Sequence, residues 1–253
     1  MPPVLTEPPP PPPDTEQIEL PAISFFGRSL DEYAQFFALD LPALRHASVL
    51  DVAAGPSSFT AEACRRGIDA VAVDPLYAAS PAALSAQVQR DYTRMFAQMR
   101  AKPRLFKLTA GATDRGGFCS INAAESDRRA AAQRFLADFE THRVHGRYFA
   151  GALPRLPFLD GAFDLVLCAH LLFTYARQFD LAWHVAACRE LARASAGEVR
   201  LHPVCGPDGR RYPELAALRR ELLAAGITSE LVAVPYEFFA GSSTMLVLNR
   251  RAG

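Results

Sequence analysis

Two short apolar runs, each ending in an aspartate, constrain this chain more than any other feature. ASVLDVA (47–53) and IDAVAVDP (68–75) suit strands buried on both faces. Between them FTAEACRRG reads as a helix closed by Gly67. The turn after the first run, AAGPSS, carries the single glycine Gly55, which can adopt backbone conformations denied to other residues and lets a ligand approach closely. Pro56 stiffens that turn, and Ser57 and Ser58 are placed to cap the helix.

The rest of the chain extends the alternation. GRYFAGAL, FDLVLCAH and GEVRLHPV read as further strands, with helices over 181–194 and in YPELAALRRELLAAG. ELVAVPYEF and TMLVLNR form a closing hairpin around FAGSS. The pattern predicts an open, mostly parallel α/β sheet of seven strands with an antiparallel edge strand at its C-terminal end. About 70 residues separate the second strand from the third, far more than a compact crossover needs, so residues 78–146 are expected to be an inserted helical lid. Its helices are predicted over 81–99 and 123–141, joined by LTAGATDRGGFCSIN. Ahead of the sheet, SLDEYAQFFAL has Ser29 as N-cap and Glu32 three residues on, a capping box. Residues 1–21, including EPPPPPPD, read as an extended, disordered polyproline tail, and residues 22–253 as one domain.

Composition narrows the partners. Lysines plus arginines equal aspartates plus glutamates, 27 each, which argues against a nucleic acid or an anionic membrane as partner. Arg128, Arg129, Arg134, Arg143 and Arg147 gather in one stretch, read as a solvated helix face. The five cysteines form no C-x-x-C pair, and Cys168 and Cys188 read as small buried hydrophobes. His142 with His145, and His184 with Cys188, supply too few ligands for a metal site. No run approaches the roughly 20 apolar residues of a membrane helix, and no export signal is visible, so a cytoplasmic protein is expected.

In open α/β sheets ligands bind outside the carboxyl ends of the strands. Asp74 follows Asp51 by 23 positions at the end of the second strand, where a carboxylate can accept both hydroxyls of a ribose. The alternative is that both aspartates only cap turns. VLDVAAGPSSFTAEACRRGIDAVAVDP followed by LPFLDGAFDLVLCAHLLF resembles the class I S-adenosylmethionine-dependent methyltransferases, from Val49 to the C-terminus in element order. The resemblance implies a Rossmann-like sheet and S-adenosylmethionine as cofactor. It places Asp51, Ala53, Gly55 and Pro56 at the amino-acid end of the cofactor, Asp74 and Pro75 at the ribose, and Ala152 and Leu153 at the adenine. Cys168 and His170 would border the transferred methyl group. Phe25, Arg28 and Tyr33 would close over cofactor and acceptor.

Three positions depart from the family pattern. Ala53 and Ser57 stand where glycine is usual, and Ala152 replaces the acid that commonly reads the adenine amino group. His170 is the candidate general base, because imidazole titrates near neutrality. Tyr92, Arg94, His202, Tyr236 and Glu237 are expected at the acceptor rim, Arg94 to hold an anionic group. The N/D-P-P-Y motif of nucleic-acid amino methyltransferases is absent, CAHL standing in its place, so a small-molecule acceptor is expected. A protein that transfers another group, or a cofactor-binding scaffold without catalysis, is an alternative. A nicotinamide dehydrogenase would need G-x-G-x-x-G, which AAGPSS does not supply.

Overall fold

The computed structural model describes residues 16–109 and 117–250. The polyproline run, and residues 110–116 of the predicted joint between the insertion helices, lie outside them. Alternation along the strands explains how the sheet buries both faces. In β1 (Ser48–Val52) Val49 joins the core on one side and Leu50 the core on the other. In β4 (Phe163–Ala169) Leu165, Leu167 and Ala169 share the first side, Val166 and Cys168 the second. This period of two, with apolar residues at both phases, is what a strand covered by helices on each face requires.

β2 (Asp69–Val73), β3 (Tyr148–Phe149), β5 (Ser195–His202), β6 (Ile227–Ala233) and β7 (Thr244–Arg250) complete a sheet of order β3-β2-β1-β4-β5-β7-β6. β1 pairs in parallel with both β2 and β4, so the chain reverses its direction of travel across the sheet between β1 and β4. That reversal opens a crevice at the carboxyl ends of the strands. A seven-stranded, mostly parallel sheet with an antiparallel C-terminal strand is what the sequence predicts. One detail differs from the sequence reading. The antiparallel strand, β7, does not lie at the edge: it inserts between β5 and β6. Burial explains the swap, since four consecutive residues of β7 are buried while β6 has only Ile227 buried.

α5 (Leu181–Ala194) and α6 (Leu215–Ala224) bring Leu191, Leu218 and Leu222 to the second side of the sheet. The first side is covered by α1 (Leu30–Phe36), α2 (Phe59–Arg65), α3 (Pro81–Ala101) and α4 (Ile121–His142). α3 and α4 are the predicted insertion, and their aromatics enter the main core. Phe135 and Phe139 of α4 lie 5.5 and 5.4 Å from Tyr77, which itself meets Tyr148 of β3 at 5.5 Å. Each such pair adds about 0.5–1.5 kcal/mol to the burial of the rings.

The capping box at α1 is half formed. Ser29 Oγ accepts from the Glu32 amide at 3.4 Å, but the Glu32 carboxylate turns away to a buried pair with Arg128 of α4. Arg128 is thus no part of a solvated face, being 2% exposed, whereas Arg143 is exposed. Residues 16–21, assigned to the tail by composition, are fastened onto the domain. Ile18 is buried, its amide donating to the Pro207 carbonyl at 2.9 Å.

Candidate functional site

A cavity of about 940 Å³ opens at the carboxyl ends of the strands. This is the upper end of the roughly 300–1,000 Å³ usual for small-molecule sites. One wall is made by the strand ends themselves, through Ala53, Gly55, Asp74, Leu153 and His170. The opposite wall comes from elsewhere: Ile18 and Phe25 of the N-terminal strap, Met95 of α3, and Tyr236 and Phe239 from the β6–β7 connection.

The first turn is held from three directions. Gly55 has φ +56°, and its amide donates to Asp74 Oδ2 at 3.0 Å. Its carbonyl accepts from Tyr77 Oη at 2.6 Å. Ala53 also has positive φ, +54°, a conformation that costs a Cβ-bearing residue about 1–2 kcal/mol. Gly27 of the strap packs so closely on this turn that an added Cβ would fall 2.2 Å from the Pro56 carbonyl carbon.

Asp74 lines the cavity while accepting one amide at each oxygen, from Gly55 and from Leu76 at 2.9 Å. Burial raises its carboxyl to about 6, against the pull of those two amides. Each oxygen keeps lone pairs free, which suits it to receive the hydroxyls of a sugar. Pro75, Ala152 and Leu153 border the same end of the cavity. Asp51, in contrast, is wholly buried beneath the turn and does not line the cavity. Its Oδ1 accepts from Tyr33 Oη at 3.1 Å and its Oδ2 has no partner among the described residues; burial pushes its carboxyl well above the usual range. Pro56 and Cys168 also lie behind the wall, and Ala169 stands where Cys168 was expected.

His170 lines the cavity, with φ +52° at the end of β4. Among the described residues neither ring nitrogen has a hydrogen-bond partner, and Nδ1 is fully buried. The expectation that it titrates near neutrality fails. Burial, then Arg28, His202 and Arg128, holds the imidazolium well below its ordinary range. His170 is therefore neutral at physiological pH and a weak base.

Several residues expected at the rim support it from behind. Tyr33 stacks on Phe59 at 4.7 Å and holds Asp51. Tyr92 is fully buried, accepting from the Gly27 amide at 3.2 Å and donating to the Arg128 carbonyl at 3.2 Å. Arg94 is occupied by Asp91 at 2.8 Å and Ser24 at 2.9 Å, so it holds the strap and not an anion in the cavity. His202 stacks on Phe36 at 4.7 Å with Nε2 2.6 Å from the Ser242 carbonyl, and burial lowers it to about 3. Glu237 pairs with Lys107 at 2.7 Å, away from the cavity lining. Phe25, Arg28 and Tyr236 do line the cavity.

Sequence reasoning missed Arg128, Thr174 and Tyr175, all of which line the cavity. Thr174 Oγ1 is buried without a partner among the described residues, and Tyr175 Oη accepts from the Ser24 amide at 2.9 Å. Nothing in their local sequence marks them: Thr174 and Tyr175 reach the cavity through the loop after β4, and Arg128 through the packing of α4 on the sheet. His184, weighed with Cys188 as a ligand pair, is structural: its ring nitrogens lie 2.7 and 2.9 Å from the carbonyls of Asp180 and Leu172. No helix among the described residues is long and apolar enough to cross a membrane.

No protein-family model matches the sequence. An uncharacterized protein of Methanocaldococcus jannaschii, MJ0045, is 27% identical over 224 residues, spanning 88% of this chain and 95% of its own. Among solved structures, the chain is similar to the magnesium protoporphyrin IX methyltransferase of Synechocystis PCC 6803, crystallised with S-adenosylmethionine. The two share 14% identity over 88% of this chain and 78% of that one, with a TM-score of 0.43. A TehB-like S-adenosylmethionine-dependent methyltransferase of Corynebacterium glutamicum gives 15% identity, 84% of each chain and a TM-score of 0.43. The sheet of this chain, seven-stranded and mostly parallel with β7 antiparallel between β5 and β6, is Rossmann-like.

Proposed function

We infer that the protein is an S-adenosylmethionine-dependent methyltransferase acting on a small molecule, at an oxygen or nitrogen atom. The observation that carries this reading is the placement of Asp74: a buried carboxylate at the end of β2, bordering the cavity beside Gly55 with lone pairs to spare. Gly55, Ala53 and the Ala152–Leu153 turn would hold the remainder of the nucleoside, with Asp51 and Pro56 beneath. The ring of His170, which lines the cavity and has no hydrogen-bond partner among the described residues, leaves polar capacity for a ligand at this end of the sheet. Bound there, the cofactor supplies a methyl group already activated by its sulfonium charge.

What the protein adds is position. The strap, the insertion and the β6–β7 connection enclose the cavity, which excludes bulk water and favours a small acceptor over a polymer. Five free cysteines, three of them buried, suit a reducing compartment, and we place the protein in the cytoplasm.

Calorimetric titration with S-adenosylhomocysteine, with NAD as control, tests the reading. Micromolar binding of the first alone is expected. Binding of NAD alone, or of neither, would overturn it.

A further inference from the structure

Arg28 is a buried cation without an anion of its own. It is 8% exposed and lines the cavity. Only its Nη1 is hydrogen-bonded among the described residues, to the carbonyls of Phe26 and Gly27 at 2.8 and 3.2 Å. Nε is fully buried with no partner. The nearest carboxylate, Glu32, stands 3.9 Å away and is committed elsewhere. Arg128 takes both Glu32 oxygens at 3.0 and 2.6 Å, and Tyr236 Oη donates to the same group at 2.5 Å. Asp91 is held by Arg94, Gln87 and the Phe25 amide, and Asp127 does not line the cavity. Two guanidinium groups thus share one carboxylate inside an apolar enclosure, an arrangement that asks for a further negative charge.

The surroundings describe what carries that charge. The cavity that Arg28 lines is also walled by Ile18, Met95, Met99, Phe106 and Phe239, none of which can hydrogen-bond through its side chain. Two further side chains with unpartnered polar atoms, His170 and Thr174, line the same enclosure. Arg155, the third arginine bordering it beside Arg28 and Arg128, is exposed and needs no ligand.

We propose that the acceptor is an apolar carboxylic acid, bound with its carboxylate on Arg28, and that this carboxylate is the group methylated. The proposal rests on the methyltransferase reading above. A carboxylate oxygen forms the new bond to carbon, and the carbon–sulfur bond breaks with its electron pair returning to sulfur. Sulfonium and carboxylate charges vanish together, giving a neutral methyl ester and a thioether. No proton is released, so no strong base is required. That agrees with a neutral, weakly basic His170, whose ring donates or accepts a positioning hydrogen bond.

The test compares 4-biphenylcarboxylate, its methyl ester and 4-phenylphenol, titrated into the full-length protein saturated with S-adenosylhomocysteine. Failure of S-adenosylhomocysteine to bind would sink the methyltransferase reading and is scored before any acid is added. With it bound, the acid is expected to bind at least about tenfold more tightly than the ester or the phenol. Arg28→Met, shown to be folded by circular dichroism, should erase that preference. If the variant does not fold, the wild-type comparison at pH 7 still decides, because it needs no substitution. Equal affinities, tighter binding of the phenol, or no binding of the acid would overturn the proposal. With methyl-labelled S-adenosylmethionine and the acid, label should appear in a product that mild alkali releases as methanol. Alkali-stable label, or none, would overturn the carboxylate as the methylated group.

Discussion

The two walls of the cavity are built on different principles. The strand-end wall is largely local: Ala53, Gly55 and Asp74 lie within one strand–helix–strand unit, and their geometry follows from where β1 and β2 stop. Leu153 and His170 join them from beyond β3 and β4. The opposite wall is assembled from the strap, α3 and the β6–β7 connection, which meet only after the whole chain has folded. It is fastened by contacts of long sequence separation, such as the Arg128–Glu32 pair and the Lys107 amide donating to the Phe238 carbonyl at 2.8 Å. A wall of the first kind suits a cofactor shared by many proteins. A wall of the second kind can change its acceptor without disturbing the sheet.

The largest expected effect lies in the second wall. Glu32→Ala leaves Arg28 and Arg128 buried with no carboxylate between them. Breaking one partner of a buried pair typically costs about 3–5 kcal/mol. Urea unfolding monitored by circular dichroism should show a loss of that size; a loss below about 1 kcal/mol would mean that the wall is held by its aromatics instead. Tyr236→Phe keeps the ion pair and removes one hydroxyl, so it should cost only about 1 kcal/mol.

Asp74 tests the first wall, through pH as well as substitution. Asp74→Ala should weaken S-adenosylhomocysteine binding by at least about 1.5 kcal/mol, the scale of a charge-assisted hydrogen bond. Because burial raises its carboxyl to about 6, the folded protein binds an extra proton between the ordinary carboxylate range and that value. The stability contributed by Asp74 is therefore complete at low pH and lost as pH rises through about 6. Asp74→Asn should remove this slope, at the cost of one of the two backbone amide bonds because its amide nitrogen cannot accept, while cofactor affinity falls. His170 and His202 carry the opposite sign. Their folded forms are held neutral, so their contribution is present above about 6.5 and lost as pH falls below it.

His170→Ala should lower turnover at least about tenfold with cofactor affinity retained. The wild-type kcat profile should show no inflection near 6.5 from His170, since burial holds its imidazolium well below the ordinary range. An inflection near 6.5 that disappears in the variant would restore His170 as a general base titrating in the ordinary range.

The same division governs what the sequence discloses. Seven strands and the six helices used here are visible as runs in the sequence. The sequence places the sixth strand over 230–238, whereas β6 is Ile227–Ala233, because with only Ile227 buried its own pattern does not fix its bounds. β6 and β7 were recognisable as a hairpin but not in their order, since which strand faces solvent depends on neighbours distant in the chain. Asp74, Gly55 and Leu153 sit at strand ends, where the pattern itself points. Arg128 shows the opposite case. In sequence it is one of several arginines on a polar helix, and only Glu32, 96 positions earlier, makes its burial tolerable. Tyr92 and Arg94 were chosen for side-chain chemistry suited to a ligand, yet the chain uses that chemistry on itself, to hold the strap at Gly27 and Ser24.

Ala53 gives the smallest effect and the sharpest question about the first wall. Its φ of +54° is the left-handed conformation that glycine adopts without steric cost. The strain of about 1–2 kcal/mol is partly offset because alanine loses less backbone entropy than glycine on folding, by about 0.5–1 kcal/mol. Ala53→Gly should therefore stabilise the protein by about 0.5–1 kcal/mol, read as a higher urea midpoint at unchanged slope. Its effect on cofactor affinity separates two roles for the methyl group. Ala53 lines the cavity, so if its Cβ only tolerates the ligand, the glycine variant binds S-adenosylhomocysteine at least as tightly. If affinity instead falls while stability rises, the alanine packs against the ligand, and the strain is retained because it rigidifies the turn in its binding conformation.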